Sequence, residues 1–256
     1  MRCNATWELV LVDNGSSDDT AERVRALASQ VQAPVTMVDE PRPGLGRARN
    51  AGVRRARGSI LVFTDDDCYP APDYLDRIAD AFADSALDYL GGRILLHDSS
   101  DYPITIRVDP LPTAIPPRSV VPAGLIQGAN MAFRRGVLER LGGFDDELGP
   151  GTRFCNDDVD AVARASAAGF TGSYLPEPTV YHHHRRRGQA DVDALSRTYD
   201  RGRGAYYAKC ILDLPTRRGV ARHWWQSARA AAPRATLREI EGAIDYCLRR
   251  ATRHLG

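Results

Sequence analysis

Short apolar runs alternate with amphipathic segments along the first part of the chain. The runs at 8–13, 34–38 and 59–64 are rich in Val, Leu and Ile, and each ends in polar or turn-forming residues. Such runs are typical of buried strands. Between them, 19–31 carries apolar residues on one helix face, and 47–57 predicts a second helix that ends at a glycine. The alternation predicts an α/β fold with a mainly parallel sheet flanked by helices.

The remaining pattern divides the chain into two parts. Six prolines between Asp101 and Pro122 predict a long surface loop. From about Asp191 onward the pattern is helical and basic. We therefore expect a sheet-containing domain over residues 1–190 and a basic helical extension over residues 191–256. The other predicted strands are at 89–96 and 130–133, with an extended segment at 174–182. Further helices are predicted to start near Asp73, to close at 142–144, and to run from Asp157 to Gly169.

Carboxylates follow two of the predicted strands, at the point where each strand ends. Asp13 ends the first run, and Asp65, Asp66 and Asp67 follow the run at 59–64. In open α/β sheets, ligands bind beyond the carboxyl ends of the strands. We therefore expect both groups of carboxylates at one functional edge of the sheet.

The three consecutive carboxylates at 65–67 indicate a metal site. Neighbouring like charges raise the cost of ionisation unless a cation compensates them. Asp65 and Asp67 point to one side in an extended chain, and their hard oxygen ligands suit Mg²⁺ or Mn²⁺. An acidic turn in solvent is the alternative interpretation.

Three other polar segments also have plain structural interpretations. Asp13 can hydrogen-bond to its own backbone in a turn. Asp157 and Asp158 precede a helix whose free N–H groups and dipole favour carboxylates. The histidines at 182–184 offer metal ligands or phosphate contacts, and their alternation along an extended segment lets one or two of them face a site.

The net charge of +1 conceals an asymmetry between the two parts of the chain. Residues 1–180 hold 18 arginines and 26 acidic residues, a net charge of −8. Residues 181–256 hold 15 arginines, one lysine and 7 acidic residues, a net charge of +9. A basic extension favours an anionic partner, and Trp224 and Trp225 among its arginines favour an anionic membrane surface over nucleic acid. A solvated helical face is the alternative.

Composition excludes several classes of protein. With 43% hydrophobic and 26% charged residues, the chain has the balance of a globular protein. Its 5 cysteines are scattered, which indicates free thiols in a reducing compartment rather than a disulfide scaffold. No apolar run reaches the roughly 18 to 20 residues of a membrane span. We therefore expect a cytoplasmic protein.

Taken together, these segments resemble the family 2 glycosyltransferases, which have the GT-A fold. The resemblance covers residues 7–190 and implies an inverting enzyme of the hexosyl- or deoxyhexosyltransferase class. Such an enzyme moves a sugar from a nucleoside-diphosphate sugar to an acceptor hydroxyl. A glycan or lipid-linked acceptor of the cell envelope is the expected partner, with the enzyme held peripherally at the inner face of the membrane. The segments that carry the resemblance are 10–20, 44–52, 62–67, 128–135, 142–145 and 156–158.

The resemblance also implies roles for individual residues. Asp158 would be the catalytic base, paired with Asp157, although Asp here replaces the commoner Glu. Asn130 would lie near the acceptor. The metal, Mg²⁺ or Mn²⁺, would bind at Asp65, Asp67 and His182, which form a DxD site and its completing histidine. The donor-binding residues would be Asp13 at the base, Arg47 at the phosphates, Asp65 near the ribose, and Asp66.

One departure from the family concerns the N-terminal side of the sheet. The family's sheet normally opens with a further strand and helix before the strand predicted at 8–13. Without them, an open strand edge and apolar neighbours would be exposed. Either the start lies downstream of the true one, or the chain is a degraded, inactive copy that only binds. A metal-dependent nucleotide-sugar hydrolase and a nucleotidyltransferase are further alternatives.

Overall fold

A computed structural model describes residues 5–28 and 30–253, an α/β body followed by three helices. The strands are β1 Leu9–Asp13, β2 Val35–Asp39, β3 Ile60–Phe63, β4 Cys68–Pro70, β5 Tyr89–Leu96, β6 Thr113–Ile115, β7 Met131–Arg134 and β8 Gly172–His182. The helices are α1 Thr20–Ala28, α2 Leu45–Arg55, α3 Tyr74–Ala83, α4 Arg135–Leu141, α5 Asp157–Ala167, α6 Gln189–Asp213, α7 Arg217–Ala230 and α8 Pro233–Arg253. A 3-10 turn over Gly128–Asn130 precedes β7.

The strands form two sheets, and their directions differ from the prediction. β1 and β2 form a parallel pair, while the larger sheet has the order β3-β7-β5-β8-β4, with β6 beside β8. In that sheet β5 and β8 are parallel, and the other pairs are antiparallel. The α/β class is confirmed, but the larger sheet is mixed rather than mainly parallel. A strand buried on both faces has the same apolar pattern in either direction, so the sequence does not reveal this.

Several of the described strands, among them β1 and β3, pair with a neighbour on one side only. Within the described residues, β1 pairs with β2 alone and β3 with β7 alone. The Glu8 carboxylate accepts hydrogen bonds from the backbone N–H groups of Arg57 and Gly58 at 2.6 and 3.3 Å. These bonds tie the start of β1 to the segment that leads into β3.

The core lies on both faces of the larger sheet. Alternate residues of β5 and β7 point to opposite faces, so Tyr89 and Phe133 pack toward α4 and α5. Leu90 and Ala132 pack toward α3 on the other face. The rings of Tyr89 and Phe133 are stacked with centroids 5.8 Å apart. β3, which Asp65 and Asp67 follow, is packed in the same way, with Leu61 on one face and Ile60 and Val62 on the other.

The C-terminal helices pack directly on the α/β body. Tyr206 and Tyr207 of α6 share a hydrophobic cluster with Val159 of α5. Lys209, also on α6, forms an ion pair with Asp160 of α5, with Nζ 2.6 Å from Oδ1. The boundary predicted at residue 190 therefore separates two parts of the sequence that share hydrophobic cores.

Two expectations concern cysteines and membrane spans. Cys68, Cys155, Cys210 and Cys247 are free thiols, while Cys3 lies outside the described residues. Over 5–28 and 30–253, none of the helices combines the length and the apolar character that crossing a bilayer requires.

Candidate active site

Four carboxylates converge where β3 ends and α5 begins. Asp65 and Asp67 follow β3, and Asp157 and Asp158 lie in the first turn of α5. Arg49 of α2 joins the two pairs. Its Nη1 lies 2.5 Å from Asp157 Oδ2, and its Nη2 lies 3.4 Å from Asp65 Oδ1. The structure therefore brings together carboxylates from segments about ninety residues apart in the sequence.

The guanidinium of Arg49 is enclosed by the protein, and the residue is only 7% exposed. It lies over the Phe144 ring, 5.6 Å from the centroid. Gly128 leaves room for it, because a Cβ atom at that position would lie 2.2 Å from Arg49 Nη2. A buried charge of this kind is stable only when carboxylates compensate it.

Asp157 and Asp158 have different environments although they are adjacent. Asp157 is 2% exposed and engages Arg49. Burial raises the pKa of Asp157, and Arg49 opposes that rise. Asp158 is half-buried, and its Oδ2 accepts a hydrogen bond of 2.6 Å from the backbone N–H of Gly128. Of the two carboxylates, Asp158 is the one that an external hydroxyl can approach.

Asp67 and His182 form a second pair at the same edge. His182 Nε2 lies 3.2 Å from Asp67 Oδ2, and His182 Nδ1 lies 3.2 Å from the carbonyl oxygen of Thr105. The pairing of β4 with β8 sets this approach, because Cys68 lies opposite His182 in the register. Burial opposes protonation of His182, but the hydrogen bond with Asp67 raises its pKa, and the same bond lowers the pKa of Asp67.

This pair fits a divalent cation. Asp67, His182 and Cys68 each offer a ligand atom, and these atoms lie within 4.8 Å of one another. Carboxylate and imidazole suit Mn²⁺, and Mg²⁺ is bound through carboxylates. Burial raises the pKa of the Cys68 thiol to about 12, so the neutral thiol is a poor ligand. The four carboxylates also outnumber the cationic groups that face them, which favours a bound cation.

Asp65 and Asp66 have different partners from the pair formed by Asp67 and His182. Asp65 engages Arg49, and burial raises its pKa while Arg49 opposes the rise. Asp66 is exposed. An open cavity of about 320 Å³ adjoins Asp67 and is lined by Asp66, Asp67, Tyr69, His183, His184 and Arg185. A metal contact by Asp65 and a donor contact by Asp66 stay predictions.

Asp13 and Arg47 lie on the side of the smaller sheet. The Asp13 carboxylate accepts a hydrogen bond of 2.9 Å from the backbone N–H of Ser16, which is the turn interpretation of this residue. In the part of the chain that the structure describes, no hydrogen bond or ion pair links Asp13 to Asp65, Asp67 or Asp158. Arg47 Nη1 donates to the carbonyl oxygen of Pro43 at 3.3 Å, while its buried Nε has no hydrogen-bond partner. A buried N–H without a partner is suited to an anionic ligand such as a phosphate.

Asn130 lies inside the protein. Its Nδ2 donates to the carbonyl oxygens of Arg93 at 2.9 Å and Pro178 at 3.0 Å, and its Oδ1 accepts from the Tyr74 hydroxyl at 2.9 Å. The residue is completely buried. In the structure, this side chain holds β5, β8 and α3 together, and an acceptor contact stays a prediction.

Comparison with known proteins identifies the family. The sequence model of the family Glycosyl transferase family 2 matches residues 3–142, more than half of the chain. The chain belongs to glycosyl transferase family 2. This membership makes it a glycosyltransferase, as expected from the sequence.

Individual relatives agree with this family. Glycosyltransferase AglE of Haloferax volcanii is 25% identical over 219 residues, which are 86% of this chain and 69% of AglE. An undecaprenyl-phosphate 4-deoxy-4-formamido-L-arabinose transferase of Pseudomonas savastanoi is 32% identical over 89 residues, 34% of this chain and 26% of that enzyme. The mannosyltransferase PcManGT of Pyrobaculum calidifontis, solved with GDP-Man and Mn²⁺, superposes with a TM-score of 0.60 at 23% identity. That superposition covers 93% of this chain and 70% of PcManGT, and it shows a fold similar to that of the GT-A glycosyltransferases.

Two residues of this glycosyltransferase site were missed in the sequence. Arg49 lies in the 44–52 segment. Carboxylates that converge need a cation between them, and this need is the signal that could have pointed to a buried arginine. Tyr199 of α6 lies beside the site: its side chain is 36% exposed, but enclosure of its hydroxyl end and the nearby Asp158 raise its pKa to about 12. Nothing in the local sequence of a basic helix marks Tyr199, because only the packing of α6 beside α5 brings it there.

Proposed function

We propose that the chain is an inverting glycosyltransferase that moves a sugar from a nucleoside-diphosphate sugar to an acceptor hydroxyl. The observation that carries the proposal is that Arg49 links Asp65, after β3, with Asp157 at the start of α5, so that the neighbouring Asp67 and Asp158 belong to the same edge of the sheet. The orphaned Nε of Arg47 supports a phosphate-containing donor. The GDP-Man bound to PcManGT belongs to the same class of donor.

In the proposed reaction, Asp158 acts as the general base. Its half-exposed carboxylate takes the proton from the acceptor hydroxyl, and the oxygen forms a bond to the anomeric carbon. The bond between that carbon and the diphosphate breaks, and the nucleoside diphosphate leaves with the bonding electrons. One displacement inverts the anomeric configuration. Asp157 holds Arg49 in place and has too little exposure to meet the acceptor itself.

The chain's own residues supply the metal site and the donor site. Asp67 and His182 would hold Mn²⁺ or Mg²⁺, with Asp65 as a further candidate ligand. When bound, the cation supplies charge stabilisation to the leaving diphosphate. Arg47 would contact the phosphates, and Asp13 would contact the nucleotide base.

We further propose a glycan or lipid-linked acceptor in cell-envelope synthesis. The Pseudomonas relative is by name an undecaprenyl-phosphate transferase, which is consistent with a lipid-linked acceptor. The charge of +9 over residues 181–256 would hold the enzyme peripherally at the anionic inner face of the membrane. A cytoplasmic location fits the free thiols of the described cysteines.

Asp158→Asn tests the proposed base. It keeps the size of the side chain and removes the proton-accepting carboxylate, so turnover should fall by about 10²- to 10⁴-fold while donor affinity is retained. The measurements are transfer to a panel of acceptors and binding of nucleoside-diphosphate sugars in the presence of Mn²⁺. Asp80→Asn, on the exposed side of α3, is the matched control and should behave as the wild type.

The products distinguish the alternatives. Equal turnover of Asp158→Asn and the wild type would refute the assignment of the base. Release of free sugar without any acceptor would favour a hydrolase, and donor binding without transfer to any acceptor would favour a binding protein.

A further inference from the structure

The last helix, α8, carries an exposed apolar stripe. Leu237, Ile240, Ile244 and Leu248 are 58%, 44%, 55% and 64% exposed, respectively. Their spacing of three and four residues places them on one side of the helix. The opposite side of α8 is already used, because Tyr246 packs in a cluster with residues of α6. The stripe therefore lies on the side of α8 that faces away from α6.

The size of the stripe distinguishes it from ordinary exposed residues. Single exposed aliphatic side chains are common on protein surfaces and need no explanation. Here four large aliphatic side chains follow one another over twelve residues, a distance of about 16 Å along the helix. A continuous exposed row of this kind is typical of an interaction surface.

The exposed charges of α7 and α8 are mostly positive. Glu241 is the exposed acidic residue of α7 and α8 within the described side chains. Glu239 is buried and accepts a hydrogen bond from Trp224 Nε1 at 2.7 Å. The exposed arginines described on these two helices are Arg217, Arg218, Arg222, Arg229, Arg234 and Arg249.

We propose that this stripe docks on the surface of an anionic lipid bilayer. The inference rests on the proposed function, because a lipid-linked acceptor would place the enzyme at a membrane. The aliphatic side chains enter the boundary between headgroups and acyl chains, and the arginines contact lipid phosphates. Trp225, which is 59% exposed with Arg229 stacked over its ring, adds an aromatic side chain suited to that interface.

The charges favour a bilayer over a second copy of this chain. Residues 217–253 hold nine arginines and three acidic residues, so an interface between two copies of α8 would bring two positively charged surfaces together, which is unfavourable. An anionic membrane instead supplies the opposite charge. The positive charges and the apolar row therefore both favour an anionic membrane as the partner.

Vesicle sedimentation with Ile244→Glu tests the proposal. The full chain should pellet with vesicles of phosphatidylcholine and phosphatidylglycerol, and less so with phosphatidylcholine alone or at high salt. Ile244→Glu should lower the partition coefficient at least about tenfold, since it places a charge in the apolar row. Leu27→Glu, at a 57% exposed leucine of α1, is the matched control and should pellet as the wild type.

Two results would overturn the proposal. One is equal pelleting of Ile244→Glu and the wild type, with thermal melting showing that both are folded. The other is a wild-type dimer in light scattering that Ile244→Glu converts to a monomer, which would assign the stripe to a second copy. Binding of nucleoside-diphosphate sugars is measured on the same samples, so failure of the proposed transferase function is recorded independently of membrane docking.

Discussion

Arg49→Met removes the one guanidinium that joins the two pairs of site carboxylates. In the wild type, Nη1 lies 2.5 Å from Asp157 Oδ2, and the Asp157 side chain is 2% exposed. Met fills most of the space beside Phe144 but leaves Asp157 as a buried carboxylate without its cation. The variant therefore tests whether the site depends on this buried ion pair.

The expected cost follows from the burial of both partners. Removing one partner of a buried ion pair typically costs about 3–5 kcal/mol in the free energy of unfolding. For a chain of this size, that cost corresponds to a fall in melting temperature of roughly 6 to 20 °C. Urea unfolding of the wild type and the variant measures the free energy, and thermal melting checks it.

Arg47→Met is the matched control on the same helix. Arg47 is half-buried, and its hydrogen bond to Pro43 is 3.3 Å long, so the substitution should cost less than about 1 kcal/mol. It should instead weaken donor binding if Arg47 contacts the phosphates. The contrast separates a residue that supports the site from one that faces the ligand.

A double variant tests the coupling between Arg49 and Asp157. Adding Asp157→Asn to Arg49→Met removes the uncompensated charge, so the double variant should be more stable than Arg49→Met alone. If Arg49→Met costs less than about 1 kcal/mol, the buried pair does not contribute as argued. Simple additivity of the two substitutions would contradict the direct coupling of Arg49 and Asp157.

Three further predictions test the packing around the site. Lys209→Met should cost about 3–5 kcal/mol in urea unfolding, because it leaves two carboxylates without their shared cation. Gly204→Ala should destabilise the chain by roughly 1–3 kcal/mol, because the added Cβ would lie 1.8 Å from the Glu239 carbonyl oxygen. Gly136→Ala on α4 is the control: its Cβ meets open space, so it should not destabilise the chain. Among the described thiols, Cys247 should be alkylated quickly in the native protein, because it is exposed and the other three are buried with pKa values raised to about 12. Rapid native labelling of a buried thiol would contradict the packing.

Much of the fold follows from local sequence patterns. The run of β-formers at 89–96 became β5 with the same bounds, and the carboxylates at 157 and 158 begin α5 as the helix dipole favours. β4 and β6 were not predicted, because three-residue strands carry too little periodicity. The direction of each strand could not be predicted from the sequence either. Phe133 of β7, for example, is buried and apolar whether its strand runs parallel or antiparallel to its neighbours.

The site was predictable in its residue types more than in its connections. The triplet at 65–67 predicts a metal site from charge repulsion alone, and the structure pairs one of its members, Asp67, with His182 at 3.2 Å. Arg49 acts through its contact with Asp157, which lies more than a hundred residues away in the sequence. Tyr199 is brought near Asp158 by helix packing. No local sequence pattern encodes either contact. Asn130 shows the converse, because a polar residue in a motif satisfies its hydrogen bonds inside the core.

Binding of Mn²⁺ with and without a nucleoside diphosphate tests the central claim most directly. Titration calorimetry of the wild type should show that the nucleotide strengthens Mn²⁺ binding, and Asp67→Asn should weaken that binding at least about tenfold. Asp80→Asn, at an exposed carboxylate on α3, should bind as the wild type. If Asp67→Asn binds Mn²⁺ as tightly as the wild type, or if the nucleotide binds equally well without the metal, the carboxylates at the end of β3 do not form the donor's metal site.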